Sequence, residues 1–309
     1  MVRPSPLTRL SSVSAQLGYC QCAKTVSKNM PVTLRSKRAM AVIEPSAGGR
    51  LRSLVIDGHE VIGSVPKAAL TAFLGRVPAV RRDWYRGSFP LAPWAGTLPG
   101  GEFEFDGVRY VVESDTANVA QHGVIAECEW RITDDARAEG KLTLSTPFGP
   151  GLVGRWPFEG CAVQSFMLDE TTLKMCLEIH SAHGRMPAIA GYHPWFRREL
   201  DSGALASVSF TPAKRLVAIG KGLVTSEDLG ERPWDDLFVE LSESPRISWP
   251  DGPTLTLESD AVVWVYFERM PVAFCVEPWT GANEGLETEW TKIVTPSDPL
   301  TLNFTISFG

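Results

Sequence analysis

Beyond about residue 40 the chain alternates short apolar runs with turn signals, and apolar positions recur with a period close to two. Leu51 to Ile56 runs into Asp57-Gly58 and then Val61-Ile62; Phe103-Glu104-Phe105 runs into Asp106-Gly107 and then Val108, Tyr110 and Val112. Asp-Gly between alternating runs marks a two-residue hairpin, because both central residues of a type I′ turn need positive φ. Further strands are predicted at Lys141 to Ser145, Cys161 to Leu168, Leu173 to His180, Ala206 to Phe210, Leu255 to Leu257, Val262 to Phe267, Val272 to Val276 and Leu300 to Ile306. A 3.6-residue period is nearly absent. A fold wound from alternating strands and helices would need a long helix between strands, so the expected class is all-β, a large antiparallel sandwich with the 27 Gly and 23 Pro in its turns. No repeat or linker interrupts the pattern, and residues 40–309 are expected to form one domain.

The first 39 residues are a different material. They hold seven basic residues (Arg3, Arg9, Lys24, Lys28, Arg35, Lys37 and Arg38), many Ser and Thr, and no acid before Glu44. The segment 1–39 reads as a disordered leader or as the product of an early start codon, with Met30 or Met40 as the true beginning. An organelle-targeting peptide has this composition too, but no amphipathic period supports it. The remainder carries 23 basic against 36 acidic residues, and the whole chain is at −6. That balance argues against a nucleic-acid partner, and the lack of any 18-residue apolar stretch argues against a membrane span. Six scattered cysteines do not make a disulfide framework and suit a reducing, cytoplasmic setting. Cys20-Gln-Cys22 is the one close pair, with no second pair or histidine at ligand spacing, so no metal is expected there.

Five histidines are present. His59 reads as turn surface, and His180 and His183 close a strand. His122 lies in the polar break Asn118-Val-Ala-Gln-His122-Gly123, and His193 lies in Gly191-Tyr-His193-Pro-Trp-Phe196, where the following proline favours extended backbone. Glu277 ends the apolar run Val272 to Val276 and precedes Pro278-Trp279, which delivers a carboxyl to a sheet rim beside an aromatic ring. Partial burial there would raise its pKa toward the range of a general base. Trp94, Trp195 and Trp279 each adjoin a polar motif, where an indole can stack on the apolar face of a sugar or simply fill the core.

Taken in order, six segments resemble the aldose 1-epimerases, the galactose mutarotase-like proteins. They are Ser88-Phe-Pro-Leu-Ala-Pro-Trp94-Ala, Gly100-Gly-Glu-Phe-Glu-Phe-Asp-Gly107, Gln121-His122-Gly123, Met186-Pro187 through Phe196, Trp234-Asp235-Asp-Leu-Phe238, and Val276-Glu277-Pro-Trp279. The resemblance implies a β-supersandwich with an open sugar cleft, a small-molecule sugar as partner and no cofactor. It also implies His193 as general acid, Glu277 as general base, His122 as a substrate-positioning residue, and Asp235 as a ligand for sugar hydroxyls. A monomer is expected, with a dimer allowed. Where the family commonly has Asn-Arg after the proline-aromatic-alanine step, this chain has Gly96-Thr97, which leaves galactose or glucose open as substrate. Arg86 or Arg197 is the candidate replacement cation. Two alternatives stand beside the free-aldose reading. One is a hexose-6-phosphate epimerase, with Arg81, Arg82, Arg86, Arg197 or Arg198 gripping phosphate; the other is a non-catalytic carbohydrate-binding protein.

Overall fold

The structure is a computed structural model that describes residues 30–74, 84–112, 119–152, 156–219, 222–282 and 286–309. Two antiparallel sheets dominate it, one of twelve strands and one of eight among the described residues. Both Asp-Gly hairpins form as the turn chemistry requires. Ile56 pairs with His59 across Asp57 (φ 49°) and Gly58 (φ 91°), and Phe105 pairs with Val108 across Asp106 (φ 49°) and Gly107 (φ 73°). The chain is all-β, with one described α-helix, Lys67–Leu74.

The core lies between the sheets, and period-two alternation decides what enters it. On the eight-stranded sheet, Thr172–Ser181 turns Leu173, Met175, Leu177 and Ile179 inward, while Leu300–Phe308 turns in Leu300, Leu302, Phe304, Ile306 and Phe308. These strands pair over Leu177 and Leu302. Across the gap, Tyr192 and Trp264 of the twelve-stranded sheet meet the Phe304 ring at centroid distances of 5.8 and 6.5 Å. Alternation therefore turns the neighbours of those residues, His193 and Val265, to the opposite face of the larger sheet, and that face carries the candidate site.

Several expectations are revised. The leader boundary at residue 39 falls inside the fold: Val32–Arg35 is a strand paired with Ala39–Glu44, and its Val32 and Leu34 are buried. Apolar alternation, brief as it is, outweighed the basic flanks. The run ending at Val276 extends to Trp279, with Pro278 paired to Trp264, so Glu277 sits within a strand and not at its end. Pro212–Ile219 and Gly222–Ser226 add a hairpin that their mixed polar pattern had hidden.

Leu177 is fully buried, and Lys174 on the same strand is exposed. Leu177→Ala is expected to cost about 2–5 kcal/mol of unfolding free energy, and Lys174→Ala less than about 0.5 kcal/mol. Urea denaturation midpoints compare the two.

Candidate active site

Four adjacent strand segments build the floor of a cavity of about 450 Å³. Gly191 pairs with Trp279 and Phe196 with Phe274, so the shared register sets His193 opposite Glu277 and Trp195 opposite Cys275. Glu277 pairs with Val265 and Val265 with Leu237; Cys275 pairs with Phe267 and Phe267 with Asp235. Because directly opposed residues share a face, two rows cross the sheet: Leu237, Val265, Glu277 and His193, then Asp235, Phe267, Cys275 and Trp195. All but Cys275 line the cavity, together with Trp279 from the same face and Gly96, Thr97, Gln121, His122 and Arg269 from connections and short strands above it.

The central contact is between His193 Nε2 and Glu277 Oε1 at 3.4 Å, with both side chains nearly withdrawn from solvent. Trp279 Nε1 donates to the other carboxyl oxygen, Oε2, at 3.1 Å. The His193 ring stacks on Phe89, with centroids 4.7 Å apart and planes inclined by 19°. Its Nδ1 lies 3.6 Å from the Cys275 sulfur. Phe89 is in turn covered by the buried Arg50 guanidinium, 5.5 Å from the ring centroid. The imidazole is thus held on a face and at both nitrogens.

His122 enters from the opposite side on a left-handed residue (φ 64°) followed by Gly123 (φ 73°). Its backbone N–H donates to the Gly96 carbonyl at 2.7 Å, and the Gly96 N–H donates to His122 Nδ1 at 3.2 Å. With Nδ1 accepting, a neutral His122 carries its proton on Nε2. Gly123 is obligatory in this turn, because a Cβ there would lie 2.0 Å from the Ala92 carbonyl oxygen. The rings of His122 and His193 meet edge to face, with centroids 5.3 Å apart.

Burial governs the ionisation of this floor. Desolvation pushes the Glu277 carboxyl well above the ordinary 4.5, with the Trp279 hydrogen bond opposing and Asp235 adding to the rise. Desolvation also holds the His193 imidazole well below 6.5, assisted by His122. Both groups are moved toward their neutral forms, as expected for charges taken out of water. Asp235 is exposed at the rim, yet the protein around it removes enough hydration to raise its carboxyl, while Arg269 pulls in the other direction.

Of the residues singled out in the sequence, His122, His193, Asp235, Glu277, Trp195 and Trp279 converge on this one cavity. Trp94 does not. It is buried in the core against Trp156, with centroids 5.5 Å apart, and offers no face to a ligand. The candidate phosphate-gripping arginines are engaged elsewhere: Arg86 with Glu44, Arg197 with Glu60, and Arg198 with the carbonyls of Glu268 and Met270. Arg81 and Arg82 lie outside the described residues. Among the described residues the cation that lines the cavity is Arg269, which sequence reasoning missed; its only signal was a basic residue two positions after the apolar run Val263 to Phe267. His59 and His183 are outlying, beside Asp201 and Glu159, and His180 is buried near Glu178. No described helix is long and apolar enough to cross a membrane.

The sequence profile of the aldose 1-epimerase family matches residues 30–211 of the chain. A search of curated protein sequences gives no match. Among solved structures, the chain is similar to a galactose mutarotase-like protein from Clostridium acetobutylicum at a TM-score of 0.73 and 16% identity, covering 90% of this chain and 95% of that one. It is also similar to a GalM/aldose epimerase homologue from C. elegans (TM-score 0.68, 12% identity, 91% and 98% covered) and to galactose 1-epimerase from Lactobacillus acidophilus (0.66, 12%, 93% and 97%). At these identities the likeness is one of fold, and at 90–93% of the chain it extends past residue 211.

The raised Glu277 carboxyl has a thermodynamic signature. As pH climbs above 4.5, the unfolded chain releases a proton that the folded chain keeps, so this group makes stability fall with rising pH. His193 acts in the other window: below 6.5 the unfolded chain binds a proton that the folded chain refuses, so its penalty is felt on the acid side. Glu277→Gln is therefore expected to melt higher than the parent at pH 8, with the advantage shrinking toward pH 4.5. Thermal melts across that range compare the two.

Proposed function

This chain belongs to the aldose 1-epimerase family and is an isomerase-type enzyme, and on that footing we propose that it interconverts the α and β anomers of a free aldose, with His193 and Glu277 as its acid–base pair. The observation that carries the reading is their 3.4 Å contact on the cavity floor. Ring opening removes the proton from the O1 hydroxyl and supplies one to the ring oxygen O5. Both oxygens are bonded to the same carbon, so the acid and the base must be neighbours.

The pair as a whole carries one exchangeable proton and no net charge, either as carboxylic acid with imidazole or as carboxylate with imidazolium. Moving the proton from Glu277 to His193 changes neither the proton count nor the charge of the buried site. In the second form the Glu277 carboxylate takes the O1 proton and His193 gives its own to O5. This yields the open aldehyde and leaves the pair as carboxylic acid and imidazole. After the carbonyl rotates, His193 withdraws the O5 proton and Glu277 returns one to O1, which closes the ring on the other face and restores the starting form. Burial brings the two proton affinities toward one another, which favours exchange in both directions. Its pH–rate profile belongs to the pair and not to either residue alone.

Recognition falls to the surrounding groups. The Nε2–H of His122 donates into the cavity toward a sugar oxygen. Asp235 accepts from sugar hydroxyls, with Arg269 beside it as the cation in place of the missing Asn-Arg pair. Trp195 and Trp279 offer apolar surface to the C–H face of the ring. The identity of the aldose is part of the proposal, with glucose and galactose the first candidates. Because Arg86, Arg197 and Arg198 are turned to other partners, the free sugar is preferred over its 6-phosphate.

Polarimetry on freshly dissolved α-glucose and α-galactose is expected to show accelerated approach to equilibrium, and both Glu277→Gln and His193→Asn are expected to lower the rate at least about 100-fold. Activity confined to hexose 6-phosphates would replace this substrate class. Measurable sugar binding without acceleration on any of a broad aldose panel would make the protein a binder.

A further inference from the structure

Below the acid–base pair lies a third donor that the proposed reaction does not use. Cys275 is two residues before Glu277 on the same strand and the same face, completely buried, with its sulfur 3.6 Å from His193 Nδ1. One donor atom each from His193, Cys275 and Glu277 can be chosen so that all three lie within 4.8 Å of one another. A tetrahedral zinc ion with bonds of about 2.0–2.3 Å sets its donors roughly 3.4–3.6 Å apart. The Sγ to Nδ1 distance already has that value, and closing the triangle requires the Glu277 carboxylate to swing from the Nε2 edge of the imidazole toward Nδ1.

We propose that Cys275, His193 and Glu277 form a three-donor site for a borderline divalent cation of the Zn²⁺ class, and that the ion shuts the enzyme off by occupying its acid–base pair. One thiolate, one carboxylate and one neutral imidazole balance a dication, so the loaded site carries no net charge in a dry setting. Coordination sends the thiol proton to solvent, together with any proton then held on Glu277. Sulfur and nitrogen donors select zinc, cobalt or copper over magnesium and calcium. Trp279 Nε1, bonded to Glu277 Oε2, fixes the carboxylate from behind in the manner of an outer-shell partner. Loss of turnover rests on the function proposed above; binding of the ion does not.

The test keeps the two separable. The full chain, with Cys20→Ser and Cys22→Ser to remove the only close cysteine pair, is titrated with Co²⁺ and followed by absorbance. A thiolate-to-cobalt charge-transfer band saturating at one ion per chain is expected, as is its loss in Cys275→Ser with near-UV circular dichroism unchanged. Glu277→Gln, which keeps the side chain's shape, is a second variant and is expected to weaken Co²⁺ at least tenfold. In polarimetry, Zn²⁺ is expected to slow mutarotation reversibly on chelation, Mg²⁺ to have no effect, and Cys275→Ser to raise the half-inhibitory Zn²⁺ concentration at least tenfold relative to its own basal rate. Absence of the charge-transfer band, or a band undiminished by both substitutions, overturns the site whatever the polarimetry gives. A band that behaves as expected, with a mutarotation rate indifferent to Zn²⁺, overturns the inhibition alone.

Discussion

One opposed pair on adjacent strands, an imidazole and a carboxyl 3.4 Å apart and nearly without water, sets the terms for everything around it. Neither group can hold a full charge cheaply in that setting, and burial moves both toward their neutral forms. The surroundings answer that constraint. The Trp279 indole supplies a hydrogen bond to the carboxyl, Phe89 supports the imidazole from one face, and the thiol of Cys275 sits at its far nitrogen. The sheet beneath contributes a backbone that is already hydrogen-bonded on both sides, so the polar atoms needing attention are those of the side chains.

This also explains why the site lies where it does. In a sandwich, one face of each sheet belongs to the core. The other face is free for chemistry only where something else keeps water out. Here the turn through His122 and Gly123, the segment around Gly96 and the tryptophans wall in the odd-numbered face of the large sheet, while the even-numbered face presses Tyr192 and Trp264 onto Phe304. A single strand therefore serves the core and the cavity on alternate residues.

Much of this was written in the alternation of the chain. The hairpins at Asp57-Gly58 and Asp106-Gly107 follow from the positive φ their turns demand, and the long core strands follow from apolar residues at every second position. The histidines and carboxylates of the cavity were legible through ordered motifs, since no local pattern links residue 122 to residue 277. What remained hidden was tertiary. Nothing local distinguishes Trp94, whose indole turns into the core, from Trp195, whose indole turns outward. Arg269 acquires its position only when the strand of Asp235 pairs with that of Phe267. The Pro after Glu277 suggested a strand end, whereas the strand continues through it because Trp264 and Gly191 still supply neighbours for Pro278 and Trp279.

The direct opposition of His193 and Glu277 has a mechanical side. Hydrogen-bonded neighbours in a sheet twist and bend as one ribbon, so thermal flexing carries both groups along together and their spacing is buffered against it. His122, Thr97 and Arg269 are carried by turns and short strands outside that ribbon, with His122 and Gly96 bonded to each other. Thermal breathing then alters the walls of the cavity more than the spacing of the pair on its floor.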